Sequence, residues 1–469
     1  MLNISPLTIS KIHIIGIGGI GMSGIAKVLA HMGYQVQGSD QQLSANIERL
    51  NEQEIDVKIG HQENNITSDI EAIVYSSAVD QNNPELIAGK KLGIPLLKRA
   101  EMLSELMRFY HTIAISGSHG KTTTTSLIGH VLKDISPTVI NGGVANQDGS
   151  NVQIGSGQWM VVEADESDAT FVRVPATVGV VTNIDPEHLE FYGSFESVID
   201  HFKQFIEGIA FYGFAVLCYD HTEVRNLAVQ AIDTRVITYG FEAGADYQIC
   251  RFQSDLTGIY FDVCTQDKEI VFENIFVPLH GKHNALNALA AVVVALKLRV
   301  APDSIRKQLA CFEGVRRRFS KTAITQNIQY IDDYAHHPVE IKAVIETAKP
   351  LTKGKLVVVF QPHRYSRLDS LFENFLDSMK ASDHLFVLPV YEAGEIKNNR
   401  KDHVDFAQAY QSETGGICHT IDSKNQLAHS ICELNLPIGS TVLFVGAGDI
   451  TKWAYEIPSL VEEKIGQSA

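Results

Sequence analysis

Three scarcities frame this 469-residue chain. Basic residues are the first: 39 Lys and Arg against 55 Asp and Glu leave a formal charge of −16. That balance argues against a nucleic-acid binder, which presents a basic face to the phosphate backbone. It leaves phosphate ligands open, because screening acts over ~8 Å at physiological salt and a few cations clustered in a cleft set the local potential. Cysteine is the second scarcity. Cys218, Cys250, Cys264, Cys311, Cys418 and Cys432 show no CxxC or other metal-type spacing, so neither a thiolate metal centre nor a disulfide scaffold is expected. Long apolar runs are the third. The most apolar stretch, 285–298, is too short to span a bilayer and is broken by Asn287. The opening MLNISPLTISKIHIIG has no charged region followed by a long apolar one. A reducing cytoplasm and no membrane anchor are the expectations. Short-period repeats and low-complexity segments are missing as well.

What the chain does have is globular composition, 45% hydrophobic and 20% charged, over a length that exceeds one core and suggests three domains. Strand-like runs at 11–15, 35–38, 70–75 and 94–97 alternate with helical ones such as 21–32, a βαβ rhythm that predicts a parallel sheet. A helical 99–111 leads into a new strand at 112–116, which places a boundary near 108. The second block has strands at 160–165 and 178–183, an antiparallel-looking stretch at 246–277, and helices at 283–298 and 302–312. FEGVRRRF, 312–319, looks like a hinge, after which strands at 356–360, 384–390 and 441–446 resume the alternation. The fold class is α/β, divided 1–108, 109–316 and 317–469.

Two glycine-rich turns carry phosphate chemistry. GIGGIG supplies Gly16, Gly18, Gly19 and Gly21 between a strand and a helix, with Asp40 about 20 residues on, the dinucleotide fingerprint. An NAD(P) site, another nucleotide diphosphate and a tight turn without ligand all satisfy it. GSHGKTTT, 117–124, is more specific: Gly117 and Gly120 free backbone amides for phosphate, Lys121 can reach the β and γ phosphates, and the Thr122 hydroxyl can ligate Mg²⁺. It is a variant loop, with Ile115 where the usual first glycine stands. EADESD, 163–168, ends a strand in the same block; four carboxylates in six residues repel one another unless solvated or bound to cations. Glu163, nearest the strand end, is the favoured metal ligand, with His188 in NIDPEHLEF as a second.

Later motifs add polar groups. Asn284 and Asn287 in GKHNALNALAA can cap a helix or read a nucleotide edge. Arg316, Arg317 and Arg318 concentrate charge suited to phosphate, or form a solvated cluster. DDYAHHP, 332–338, and QPHRYSR, 361–367, follow strands, where open α/β sheets bind ligands, and offer His336, His337, His363, Arg364 and Arg367. One or two of these histidines are expected to be packing residues.

The ordered set GIGGIGMSG, GSHGKTTT, EADESD, NIDPEHLEFYG, GKHNALNA, FEGVRRRF, DDYAHHP, QPHRYSR and GAGDI resembles the Mur ligases from end to end, and within them the members that use L-alanine. The resemblance implies a Rossmann-like N-terminal domain for a UDP-sugar, a central phosphate-loop ATPase-type domain for ATP, and a Rossmann-like C-terminal domain for the amino acid. It implies an ADP-forming ligase that joins L-alanine to the carboxylate of UDP-N-acetylmuramate through an acyl phosphate, with Mg²⁺ and with neither nucleic acid nor membrane as partner. It places Gly117, Ser118, His119, Gly120, Lys121, Thr122 and Thr123 at the ATP phosphates, with Asn284 and Asn287 by the base. Thr122, Glu163 and His188 would hold Mg²⁺, and Arg317 and Arg318 would stand near the phosphates. Tyr334, His336, His363, Arg364 and Arg367 would form the amino-acid site, and Gly16, Gly18, Gly19, Gly21 and Asp40 the uridine diphosphate site. Lys121, Arg317 and Arg318 would serve phosphoryl transfer, and His336 would take the amine's proton.

Three departures stand out. Ser118 replaces a usual threonine, Arg316 adds a charge where relatives often have glycine, and Phe202 occupies the place of a carbamylated lysine found in several relatives, with Lys203 adjacent. A murein-peptide ligase shares the nucleotide motifs and is the nearest alternative. An NAD(P)-dependent oxidoreductase or a non-catalytic nucleotide switch leaves GSHGKTTT with EADESD, or the third block, unexplained. Oligomeric state is not legible.

Overall fold

The computed structural model describes residues 9–76, 78–143 and 151–468. The opening eight residues, on which part of the leader expectation rests, lie outside them. Three sheets carry the architecture. The first holds β1 (Lys11–Ile15), β2 (Gln35–Asp40), β3 (Asp56–Ile59), β4 (Ala72–Tyr75) and β5 (Leu96–Lys98) in the order β3-β2-β1-β4-β5, all parallel.

The second holds β6 (His111–Ser116), β7 (Thr138–Ile140), β8 (Val152–Gln153), β9 (Trp159–Glu163), β10 (Val178–Val181), β11 (Phe214–Cys218), β12 (Val236–Gly240), β13 (Tyr247–Ser254), β14 (Ile259–Cys264) and β15 (Ile270–Val277). Their order is β15-β14-β13-β12-β11-β10-β6-β9-β7-β8, and the run from β12 to β7 is parallel. The third holds β16 (Ser320–Thr325), β17 (Ile328–Asp333), β18 (Leu356–Phe360), β19 (His384–Val387), β20 (Cys418–Thr420) and β21 (Thr441–Val445) in the order β16-β17-β21-β18-β19-β20. Only the edge strand β16 is antiparallel there.

The sequences of the central strands explain the parallel sheets. VGVV in β10, LVVVF in β18 and TVLFV in β21 are buried at every position, the continuous apolar run of a strand covered on both faces. In β18, Leu356, Val358 and Phe360 enter one core and Val357 and Val359 the other, as the alternation of strand side chains requires. Compactness divides the chain in two. One unit comprises Met1–Cys250, Asp262–Ile275 and Leu286–Glu313, and takes in the first sheet and the parallel part of the second; the other comprises Arg251–Phe261, Phe276–Ala285 and Gly314–Ala469.

Each sheet reverses its strand order at the strand that bears a motif: β1 before GIGGIG, β6 before GSHGKTTT. In the third, the adjacent strands β17, β21 and β18 end in DDYAHHP, GAGDI and QPHRYSR. These switch points are where ligand crevices form in α/β sheets. Among the described residues no helix is long and apolar enough to cross a membrane. All six cysteines are free, and burial pushes the Cys218 and Cys418 thiols up to about 12.

A polar cluster lies under the first sheet. Glu85, fully buried, accepts from Ser39 Oγ at 2.6 Å, Asn65 Nδ2 at 2.5 Å and His61 Nδ1 at 3.1 Å. Burial pushes its carboxyl up, but the contacts of His13, Ser39 and Asn65 outweigh that and hold it at about 2. The replacement Glu85→Ala strands these donors, and a loss of ~3 kcal/mol is expected. Thermal melting should show a drop of several degrees; a midpoint within one degree of the parent would mean that the cluster contributes little.

Candidate active site

The phosphate loop is shorter than the usual one because Ile115 is inside β6, fully buried and paired with Glu163 of β9 and Val180 of β10. The turn begins at Gly117, φ +134°, where a Cβ would collide with Thr182 Oγ1. It ends at Gly120, φ +83°, where a Cβ would stand 2.9 Å from Asn287 Oδ1. Between them the loop is laced to the exit of β10. The amides of Ser118 and His119 donate to Asn183 O at 3.1 Å and Asn183 Oδ1 at 2.7 Å, and Asp185 N donates to Ser118 Oγ at 2.8 Å. Those two amides therefore bond within the protein. The helix Lys121–Val131 leaves the amides of Lys121, Thr122 and Thr123 without a preceding helical carbonyl, a positive end of the kind that can receive a phosphate.

Lys121 Nζ donates to Gly117 O at 2.5 Å, Ser118 O at 3.0 Å and Glu166 Oε1 at 2.9 Å. Burial opposes its charge, but Glu166 and Glu163 outweigh burial and hold the ammonium charged. The four carboxylates of EADESD divide their work. Asp165 and Asp168 accept from Ser167 N and Thr170 N two residues on, closing their own turns. Glu163 accepts from Gly142 N at 2.9 Å, and Glu166 takes Lys121. His188, in the left-handed region at φ +55°, lies 3.9 Å from Glu166, and ligand atoms of Glu166, Glu187 and His188 all lie within 4.8 Å of one another. Glu166 and Glu187 were not singled out from sequence, because spacing alone could not choose among neighbouring carboxylates. Asp185 is flanked by His119 at 3.2 Å and His221 at 3.5 Å; burial pushes its carboxyl up, but these imidazoles hold it well below the usual range.

Around β1, Gly16 has φ +76° and Gly18 N donates to Asp40 Oδ2 at 2.9 Å. Gly16, Gly18, Gly19, Asp40 and His61 border a cavity of about 720 Å³. Gly21 serves differently: a Cβ there would stand 2.9 Å from Arg99 Nη1. Arg99 is a cation near the turn that no motif revealed.

In the second unit, His336 and His363 rings lie 5.9 Å apart, Tyr334 packs on His336 at 5.1 Å, and His363 stacks on Tyr391 at 5.5 Å. Burial drives both imidazoles down to about 4, with the Arg367 charge adding to the depression. His336 Nδ1 faces Tyr334 O at 3.0 Å, an acceptor only, which assigns the proton of the neutral ring to Nδ1 and leaves Nε2 with its lone pair. Arg367 Nη1 is buried without a hydrogen-bond partner among the described residues. Arg364 is exposed at φ +68°. Arg317 Nη2 donates to Gly446 O at 2.6 Å and Gly448 O at 3.3 Å, because the GAG turn after β21 presents carbonyls toward it. Arg318 stays 3.9 Å from Glu340. Asn284 Nδ2 donates to His280 O at 2.8 Å, and Asn287 packs on Gly120. Phe202 is buried in the core and Lys203 pairs with Glu207 at 3.9 Å.

Residues 11–111 match the model described as Mur ligase family, catalytic domain, residues 115–295 the Mur ligase middle domain, and residues 317–448 the Mur ligase, glutamate ligase domain. The UDP-N-acetylmuramate–L-alanine ligase of Agrobacterium fabrum is 46% identical over 469 residues, covering 99% of each chain. The crystal structure of UDP-N-acetylmuramate-alanine ligase from Thermotoga maritima is 28% identical with a TM-score of 0.79, covering 98% of this chain and 100% of that one. A murein peptide ligase from Psychrobacter arcticus, 19% identical with a TM-score of 0.68 and 97% and 98% coverage, shares the fold.

The depressed histidines have a consequence for stability. Folded, His336 and His363 take protons only near pH 4, whereas unfolded they do so near 6.5, so acidification across that window favours unfolding. Asp333, which burial pushes up to about 6, works in the opposite sense as the pH falls below 6. Melting curves from neutral pH downward should therefore decline; His363→Gln should flatten the decline and Asp333→Asn should steepen it. Parallel slopes in all three proteins would contradict these assignments.

Proposed function

The chain belongs to the Mur ligase family, and on that premise we propose that it is the ADP-forming ligase that joins L-alanine to UDP-N-acetylmuramate in peptidoglycan precursor synthesis. The observation that carries the reading is identity of 46% across nearly the whole length of an enzyme of that name. We assign 1–108 to the UDP-sugar, 109–316 to ATP and 317–469 to the amino acid, and the cytoplasm, which suits six free thiols, as the compartment.

The residues fit Mg²⁺. Thr122, Glu163, Glu166 and Glu187 are oxygen donors suited to a hard cation, and the clustering of Glu166, Glu187 and His188 within 4.8 Å matches the space of one ion. Thr122 with Glu163, and Glu166 and Glu187 with His188, would hold it, and it would neutralise charge at the transferring phosphoryl group.

The chain's own groups do the rest. Lys121 exchanges Glu166 for the β and γ phosphates, and the first-turn amides hold them while the muramyl carboxylate attacks the γ phosphorus, releasing ADP and forming an acyl phosphate. Arg318, clear of the GAG turn, is the better placed of the two arginines to serve the phosphates, and Arg317 supports that turn. The L-alanine carboxylate pairs with Arg367 and Arg364. That pairing cancels part of the charge that depresses His336, which raises its basicity when a proton must leave the amine. The amine then attacks the carbonyl carbon, phosphate departs and the amide remains. The UDP moiety lies along Gly16, Gly18, Gly19 and Asp40.

ADP release with Mg²⁺, ATP and UDP-N-acetylmuramate should be fastest with L-alanine among L-alanine, glycine, L-serine and the murein peptide; a preference for the peptide would reassign the chain to the peptide-ligase branch. Lys121→Ala should lower kcat/KM at least about a hundredfold, and near-normal ADP production would sink the central assignment. His336→Ala should reduce turnover by about a hundredfold while nucleotide affinity holds; unchanged turnover would remove the base role. Chelation of divalent metal should stop the reaction, and its return restore it.

A further inference from the structure

The chemistry assigned so far uses the exits of β1 and β6 and leaves the exit of β3 unexplained. The order β3-β2-β1 sets three exits side by side, about 4.8 Å apart from strand to strand. GIGGIG leaves β1, Asp40 ends β2, and Gly60 and His61 follow β3. Asp40 O accepts from Gly60 N at 2.7 Å, and Gly60 turns the chain at φ +94°. The His61 side chain, 12% exposed, then borders the cavity that Gly16, Gly18 and Asp40 also border.

The His61 ring is held from one side only. Its Nδ1 lies 3.1 Å from Glu85 Oε2 and 3.0 Å from Ser39 Oγ, and the Ser39 hydroxyl has already given its proton to Glu85. Glu85 sits in the first turn of the helix Pro84–Leu92, where Asn83 Oδ1 accepts from its amide at 2.8 Å and the helix end favours negative charge. Asn65 Nδ2 donates to the other Glu85 oxygen and to Gly60 O at 3.0 Å. On the far strand, His13 Nδ1 accepts from Gln37 Nε2 at 3.1 Å, which puts the His13 proton on Nε2, 3.7 Å from the same carboxylate. A buried charge is a poor way to hold a sheet together, because apolar residues of similar volume do so at least as well. What this network does supply is one proton at one place.

We propose that Glu85 is a positioning residue that locks His61 in its Nδ1–H tautomer, so that His61 Nε2 accepts from the N3–H of the nucleotide base and the chain selects uracil over cytosine. The proposal rests on the reading that puts the UDP moiety in this cavity. Nδ1 faces acceptors alone, so the neutral ring keeps its lone pair on Nε2, an atom without a hydrogen-bond partner among the described residues. Uracil and cytosine share an outline and differ at N3, where uracil donates and cytosine presents a lone pair. A fixed acceptor therefore attracts one base and repels the other, whereas a ring free to change tautomer would serve both. The spacing agrees: with the phosphates at the exit of β1, the exit of β3 stands two strand spacings away, ~10 Å, the span from the phosphates of a nucleotide to its base.

Calorimetric titration of the full-length chain with UDP, CDP and 3-methyl-UDP tests this. The parent should bind UDP roughly a hundredfold more tightly than either analogue. His61→Ala should weaken UDP and leave CDP near its parent value, so that the preference collapses. Glu85→Gln puts an amide that can donate beside Nδ1 and releases the other tautomer; UDP should weaken while CDP strengthens, a crossing that lost packing does not produce. ADP affinity at the phosphate loop reports whether each variant is folded, and His61→Ala carries the test if Glu85→Gln is not. A UDP preference that survives in a folded variant, or equal binding of UDP and 3-methyl-UDP by the parent, would overturn the proposal and leave the UDP-sugar assignment standing. A parent that binds UDP-N-acetylmuramate no more tightly than N-acetylmuramate would remove that assignment, and the proposal with it.

Discussion

In a parallel sheet the chain leaves every strand at the same edge, and the loops that follow must share that edge whatever their distance in sequence. Most of what this protein can do follows from that constraint. GSHGKTTT leaves β6 beside EADESD at the end of β9 and NIDPEH at the end of β10, so a lysine, its carboxylate partners and a histidine converge although they span residues 121 to 188. The apolar runs that make the strands parallel, rather than the polar motifs themselves, are what bring the polar motifs together.

Within that arrangement the ligand-free loop is self-satisfied. Lys121 sits on a carboxylate that is 3% exposed and on two carbonyls of its own turn. A nucleotide that draws the ammonium onto its phosphates leaves Glu166 buried without a counter-charge, a costly state in a low dielectric. On the reading proposed above, phosphate binding and cation binding would be coupled through that one side chain.

Much of the fold was legible. Uninterrupted runs such as LVVVF and the βαβ alternation located most strands to within a few residues, because burial on both faces demands them. The phosphate loop was legible too: the strand expected at 112–116 already takes in Ile115, where the usual first glycine stands, and the pairing of β6 with β9 and β10 accounts for the shorter loop. Glu166 stayed hidden because adjacent carboxylates differ in direction rather than in type. Arg317 was legible as a cation and not as the support of a turn 130 residues away, since nothing local in FEGVRRRF reports carbonyls at 446–448. Glu85 was invisible for the same reason: a buried partner leaves no periodic trace.

The third sheet has an unusual order of assembly. Its strands β17 and β18 follow one another in sequence but are not neighbours; β21, the last strand to be made, lies between them and pairs with both. During synthesis the loops that bear His336 and His363 can form early, yet they acquire their native separation only after residues 441–445 have emerged and threaded into the gap. Such long-range insertion is slow and exposes unpaired strand edges while it waits. The cluster of Tyr334, His336 and His363 is therefore among the last parts of the molecule to reach its native geometry, long after the chain that bears GSHGKTTT has been made.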